Sequence, residues 1–218
     1  VRLVLVAVAL ITMTFANQVA LRQQDSKRLL AYSAIAHAGV LLLGVAVTDH
    51  LGVTSVIFYM VVYLFMTLGA FYLVGIVERE TGRTDIDAFE GLGFKAPLLG
   101  ATMTIFLLSL TGIPPTGGFV GKFFVFREVF AFAGERQSPL FFWAGVIGLA
   151  NSVIALGYYS KFLKVMYLCD MDRVSKGAFR FPDIDKGMVL ALAIPVLVLG
   201  VAFGDLFDLA LGFALGVF

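Results

Sequence analysis

Residues 109–128 read SLTGIPPTGGFVGKFFVFRE. It is apolar enough to sit in a membrane. Yet it carries two adjacent prolines, four glycines and one lysine, Lys122. Pro114 and Pro115 lack a backbone N–H, and a residue before proline avoids the helical region. Gly112, Gly117, Gly118 and Gly121 add conformational freedom and room for close packing. Six helix-weakening residues thus fall within the ten positions 112–121. The apolar segment around them, 97–133, is 37 residues long. A straight helix of that length would run about 55 Å, against a hydrocarbon core of about 30 Å. The spacing therefore predicts a helix to about Gly112, an unwound segment near 113–117, and a second half-helix from about Gly118. Unwound backbone at membrane depth must be buried in protein or line a wet cavity. The bland alternative is an ordinary proline kink.

The rest of the chain fits a membrane setting. Hydrophobic residues make up 60% of its 218 residues and charged residues 14%, which is too apolar for a soluble domain of this length. A net charge of +1 gives no reason to expect a nucleic-acid partner. One cysteine, Cys169, leaves no disulfide framework within the chain. The chain opens on Val1 rather than Met, which is the expectation for a piece of a longer protein. The apolar stretch after Arg2 is too long for a signal-peptide core.

The pattern predicts an all-α membrane protein, a single transmembrane domain over 1–218. It has six transmembrane helices at about 3–21, 29–48, 53–77, 97–133 (the broken one), 140–168 and 187–216. Twelve Lys and Arg lie in the regions 22–28, 78–95 and 161–186; only Arg2 and Arg136 lie on the opposite side. The positive-inside rule then turns the three charged loops inward, toward the cytoplasm or its equivalent.

Two residues inside the spans carry candidate chemistry. A lysine at the centre of a membrane helix costs about 2.5–3.5 kcal/mol by insertion scales. Snorkelling to the interface is the bland alternative, and it suits Arg127 and Glu128 better than Lys122. Desolvation favours the neutral amine, so such a lysine can bind and release a proton near neutrality, which a proton relay needs. His37, midway along the second span, titrates near neutrality without help. Ser33 lies one turn before it. A neutral histidine satisfied by a helix-to-helix hydrogen bond is an equally good reading. Asn17, Asn151 and Ser152 read as polar glue between helices. Gly69, Gly75, Gly145, Gly148 and Gly157 read as packing positions. Tyr158, Tyr159, Lys161 and Lys164 read as an interfacial belt, and His50 as a solvated loop residue. Asp205, after Gly204, hints at a second interrupted helix.

Three stretches together resemble one family: LRQQDSKRLLAYSAIAHAGVLLLG at 21–44, FYMVVYLFMTLGAFYLV at 58–74 and LSLTGIPPTGGFVGKFFVF at 108–126. They are similar to the antiporter-like proton-pumping subunits of respiratory complex I (NADH:quinone oxidoreductase), on the subunit N (chain 2) branch, over roughly residues 5–168. Mrp-type cation/proton antiporter subunits share the general fold. The resemblance implies two inverted five-helix repeats, each with one broken helix. This chain would hold the second repeat and the final helix of that antiporter-like fold. By the same resemblance, Lys122 belongs to an outward half-channel and His37 to the central hydrophilic axis. Lys27, in KRLLAYS, is a further matching polar position, and Pro114, Pro115, Gly117 and Gly118 form the helix break.

The implied function is proton translocation in the membrane arm, coupled to quinone reduction elsewhere. The implied partners are other membrane-arm subunits, including another antiporter-like subunit, and the lipid bilayer, in a bacterial inner membrane. NADH, FMN, iron–sulfur clusters and quinone would belong to partner subunits. With one cysteine and no dinucleotide fingerprint, none is expected in this chain. Two alternatives stay open: an Mrp-type antiporter subunit, and a structural module that only seals the membrane arm.

Overall fold

The computed structural model describes residues 1–47, 49–168 and 182–216. Cys169, Arg173, Lys176, Arg180 and the Thr48 end of the second predicted span lie outside them. The described residues form nine α-helices: α1 Arg2–Leu21, α2 Ser26–Val47, α3 His50–Thr81, α4 Leu92–Lys95, α5 Pro97–Thr111, α6 Gly117–Glu135, α7 Pro139–Tyr167, α8 Asp183–Val201 and α9 Gly204–Leu215. Five of them, α1, α2, α3, α7 and α8, are each long and apolar enough to cross a membrane. α5 and α6 divide the 97–133 segment at Gly112–Thr116. The last predicted span is also two helices, α8 and α9, interrupted at Ala202–Phe203.

α3 is the axis of the bundle. It packs against α2, α5, α6, α8 and α9, while α1 and α7 pack together and α1 lies along α2. Local chemistry sets its ends. Asp49 caps it by accepting the Gly52 N–H at 2.5 Å. Gly82 closes it in the left-handed region at φ 69°.

The start of α2 and the segment after α3 are tied together by short polar contacts. Asp25 and Asp85 form an isolated antiparallel bridge. Ser26 donates to the Thr84 carbonyl at 2.6 Å, and the Thr84 hydroxyl donates to the Asp25 carboxylate. The Arg83 guanidinium bonds the Asp85 carboxylate and holds that carboxyl below its usual range. α8 is anchored by one buried acid: Asp185 accepts from Tyr72 at 2.6 Å and pairs with Arg79, both on α3.

Candidate functional site

The break explains where Lys122 goes. The last four carbonyls of an α-helix have no partner inside it. At the end of α5, Leu108 accepts the Gly112 and Ile113 N–H groups, and Ser109 accepts Gly112 as well. Leu110 and Thr111 would remain unpaired. The Lys122 ammonium, buried one turn into α6, fills both places, donating to the Leu110 carbonyl at 2.7 Å and to the Thr111 carbonyl at 2.9 Å. A cation at this end is also favoured by the helix dipole.

Two glycines make the geometry possible. Gly112 ends α5 at φ 91°, a conformation that strains any other L-residue. A Cβ on Gly118 would lie 2.0 Å from the Ser109 carbonyl oxygen, so the start of α6 rests directly on the end of α5. The Ser109 hydroxyl accepts the Gly118 N–H at 3.1 Å, and Thr116 closes the turn by donating to the Ile113 carbonyl. Pro114 and Pro115 occupy the turn itself, joined by a cis peptide bond.

Lys122 and His37 line one small cavity together with Asn17, Asn151, Ser152 and Tyr158. The His37 imidazole Nδ1 also meets the Tyr59 hydroxyl at 2.6 Å. Asn17 donates to the Asn151 side chain at 3.1 Å and accepts from Tyr158 at 3.0 Å, while Asn151 donates to Thr14 at 3.1 Å. Polar groups from α1, α2, α6 and α7 therefore converge on one buried volume. A cavity of this kind suits a bridging water, which needs two to four polar partners.

The other predicted residues fall elsewhere. Ser33 is buried and bonded to Tyr159 on α7, next to this layer rather than in the cavity lining. Lys27 lies at the start of α2, half exposed, in an ion pair with Glu78 of α3 at 2.5 Å.

Several readings need correction. Tyr158 and Tyr159 are buried and hold the α1–α2–α7 polar layer together, so they are not an interfacial belt. A hydroxyl that finds an internal partner can be buried where an unpaired one could not. Glu128 is buried while its neighbour Arg127 is exposed, so the two do not snorkel together. Gly75 packs nothing: a Cβ there would meet no atom within 4 Å. His50 is not a loop residue; it opens α3 and bonds the Ala214 carbonyl at 2.9 Å. Tyr59, the partner of His37, was not singled out by the sequence reading. The signal lay in FYMVVY, where two tyrosines four residues apart share a helix face.

The family model described as "NADH:quinone oxidoreductase/Mrp antiporter, TM" matches residues 1–172. The chain belongs to this family. It is thus an integral membrane protein of the NADH:quinone oxidoreductase/Mrp antiporter group. NADH-quinone oxidoreductase subunit N 2 of Sorangium cellulosum is 46% identical over 201 residues, covering 92% of this chain and 38% of the relative. Its namesake from Chloroherpeton thalassium is 42% identical over 93% of this chain and 39% of the relative. The chain therefore spans about two fifths of the length of these family members. Respiratory complex I from Thermus thermophilus with bound aureothin contains a similar chain, with TM-score 0.77 and 30% identity, covering 94% of this chain and 44% of that one. The Mrp complex from Dietzia shares the family fold at TM-score 0.83 and 22% identity, over 98% of this chain and 46% of that one.

Proposed function

We propose that this chain moves protons across the membrane as part of the subunit N type of NADH:quinone oxidoreductase, with Lys122 and His37 as the proton-carrying groups. The observation that carries the reading is the seating of Lys122 on the two free carbonyls of α5, beside the cavity it shares with His37. An ammonium has three N–H donors and a neutral amine has two plus a lone pair. Both carbonyl bonds can therefore persist when the proton leaves. Only the third position changes, from donor to acceptor, and a water in the cavity can take or return the proton there. The helix break thus provides an anchor that holds the group in place in either state. His37 accepts at one ring nitrogen and releases at the other, with Tyr59 fixing the ring.

In this reading α5 and α6 together make one broken span, and α8 with α9 make the last. That gives six crossings, the second inverted repeat and the final helix of an antiporter-like fold. The charged loops face the cytoplasm of a bacterial cell, as the charge count supports. Redox chemistry, with NADH, FMN, iron–sulfur clusters and quinone, belongs to partner subunits, and another antiporter-like subunit abuts this one. The named relatives support complex I over an Mrp-type exchanger.

The deciding experiment is Lys122→Gln in the intact complex. The amide keeps two N–H donors for the carbonyls but cannot carry the proton. Expected are normal subunit content on a native gel and reduced NADH-driven proton pumping in membrane vesicles. Wild-type pumping would reduce Lys122 to a structural tether.

A further inference from the structure

Four polar groups besides Lys122 and His37 line the relay cavity: Asn17, Asn151, Ser152 and Tyr158. Each has its hydrogens engaged by the protein. The Asn17 amide donates to the Asn151 backbone carbonyl at 3.2 Å and to its side-chain oxygen at 3.1 Å. The Asn151 amide donates to the Ile147 carbonyl at 2.9 Å and to Thr14 at 3.1 Å. A backbone carbonyl only accepts, so neither amide can be turned over. The Tyr158 hydroxyl donates to Asn17 at 3.0 Å, and the Ser152 hydroxyl to the Gly148 carbonyl at 3.3 Å. What these four groups have left to offer the cavity is lone pairs on oxygen. The cavity leaves about 10 Å³ for the centre of a water, which is room for one molecule.

We propose that this acceptor wall orients a single water as the proton acceptor of Lys122, with Asn17 and Asn151 as its positioning residues. The water site rests on the reading of Lys122 and His37 as a relay. The water turns its two hydrogens to the wall, which leaves its own lone pairs for the third N–H of Lys122. In the transfer the Nζ–H bond breaks as a new O–H bond forms, and the water passes another of its hydrogens to the unprotonated ring nitrogen of His37. Lys122 ends as a neutral amine, His37 as an imidazolium, and the water is regenerated. The wall oxygens stabilise the positive charge that develops on the water between the two bond changes. Neutral oxygens also suit a sodium ion. Here, however, the Lys122 ammonium faces the same small volume and repels a second cation, and among the described residues no carboxylate lines it. The other ionisable groups nearby are Tyr59 and Tyr63 against His37, Tyr159 against Tyr158, and Arg127 in the adjoining groove that Lys122 also lines.

The test uses the intact complex in inverted vesicles and reads protons pumped per NADH. Ala155 lines the same cavity with a methyl group. Ala155→Val fills the place of the water without altering a polar group, and Asn151→Leu keeps the shape of the side chain but removes its acceptor. Both are expected at normal subunit content and at the pumping level of Lys122→Gln. Ala155→Ser, whose hydroxyl can stand in the path, is expected to keep most of the wild-type yield. Asn151→Asp is expected to pump with its pH profile moved up by about one unit or more, because a carboxylate facing Lys122 holds the proton there to higher pH. An Asn151→Asp profile that matches wild type, or equal loss from Ala155→Val and Ala155→Ser, overturns the water site. So does NADH-driven uptake of radiolabelled sodium, which would make the cavity a metal-cation site. If Asn151→Leu fails to assemble, the Ala155 variants and Asn151→Asp decide. If Lys122→Gln fails to pump while Ala155→Val pumps normally, the relay stands and the water site falls. If both pump normally, both fall.

Discussion

Lys122 shows how one residue is specified by its neighbours' unmet needs. An ammonium buried among phenylalanines would be costly, and two carbonyls at a helix end would be left unpaired; each removes the other's penalty. The proposed relay calls for a group that keeps its bonds while changing its proton. Lys122→Arg meets the first need and not the second, because a guanidinium does not release its proton at working pH. It is also larger, and the Lys122 Cδ already lies 3.0 Å from where a Cβ on Gly112 would sit. Lys122→Arg is therefore expected to abolish the share of pumping that depends on this subunit. Proton yield per NADH in vesicles checks it, with Lys122→Gln as the reference for the size of that share.

At the scale of elements, the α5–α6 junction and α3 make opposite demands. Gly118 sits on the Ser109 backbone, which cannot move aside, so a side chain there must push the two half-helices apart. Overpacking of this kind costs roughly 1–3 kcal/mol or more. Gly118→Val is expected to lower the thermal midpoint of the detergent-solubilised complex and to reduce the content of this subunit. Gly75→Ala, facing open space in α3, is expected to stay within about 0.5 kcal/mol of wild type. Equal loss from both would mean that the close approach at Gly118 is not what holds the junction. The last helix pair hangs on α3 through Asp185, whose partners Tyr72 and Arg79 hold it in a buried position. Replacing Asp185 by Ala leaves Tyr72 without its acceptor. Because Tyr72 and Arg79 can both reach solvent, the loss is that of an ordinary hydrogen bond, about 0.5–1.5 kcal/mol, read as a slightly lower melting temperature.

At the scale of the whole molecule, the distribution of charge sets direction. With Cys169→Ser as the starting variant, a cysteine at Asp85 is expected to be labelled from the cytoplasmic side alone and one at Gln137 from the opposite side alone, since the sequence segments read as inward carry twelve basic residues and those read as outward two. Labelling of both from one side would break the six-crossing topology. The chain covers about two fifths of its relatives' length, and on the proposed inverted-repeat reading the other half of the repeat interface lies outside it. The isolated polypeptide in liposomes is expected to carry no proton flux above that of empty vesicles, measured with a pH-sensitive dye. Robust flux would mean that the path closes within this segment.

The membrane setting, the positions of the long helices and the interruption near residue 112 were all legible in the sequence, because each rests on local physics. Apolar length, proline and glycine act on the backbone wherever they stand. Lys122 and His37 stood out for the same reason: a titratable group in an apolar run is conspicuous without knowing its neighbours. Their partners were not legible. Nothing in the spacing connects Lys122 to the carbonyls of Leu110 and Thr111, His37 to Tyr59, or Asn17 to Asn151, 134 positions away. Tyr158 and Tyr159 read as an interfacial belt because amphipathic rings favour interfaces when nothing inside satisfies them; Ser33 and Asn17 supply those partners only once α1, α2 and α7 are packed. Hydrogen bonds across helices depend on how the helices cross, and a 3.6-residue period carries no information about that. Which groups are costly to bury can be read along the chain; which of them meet is set by how the helices pack.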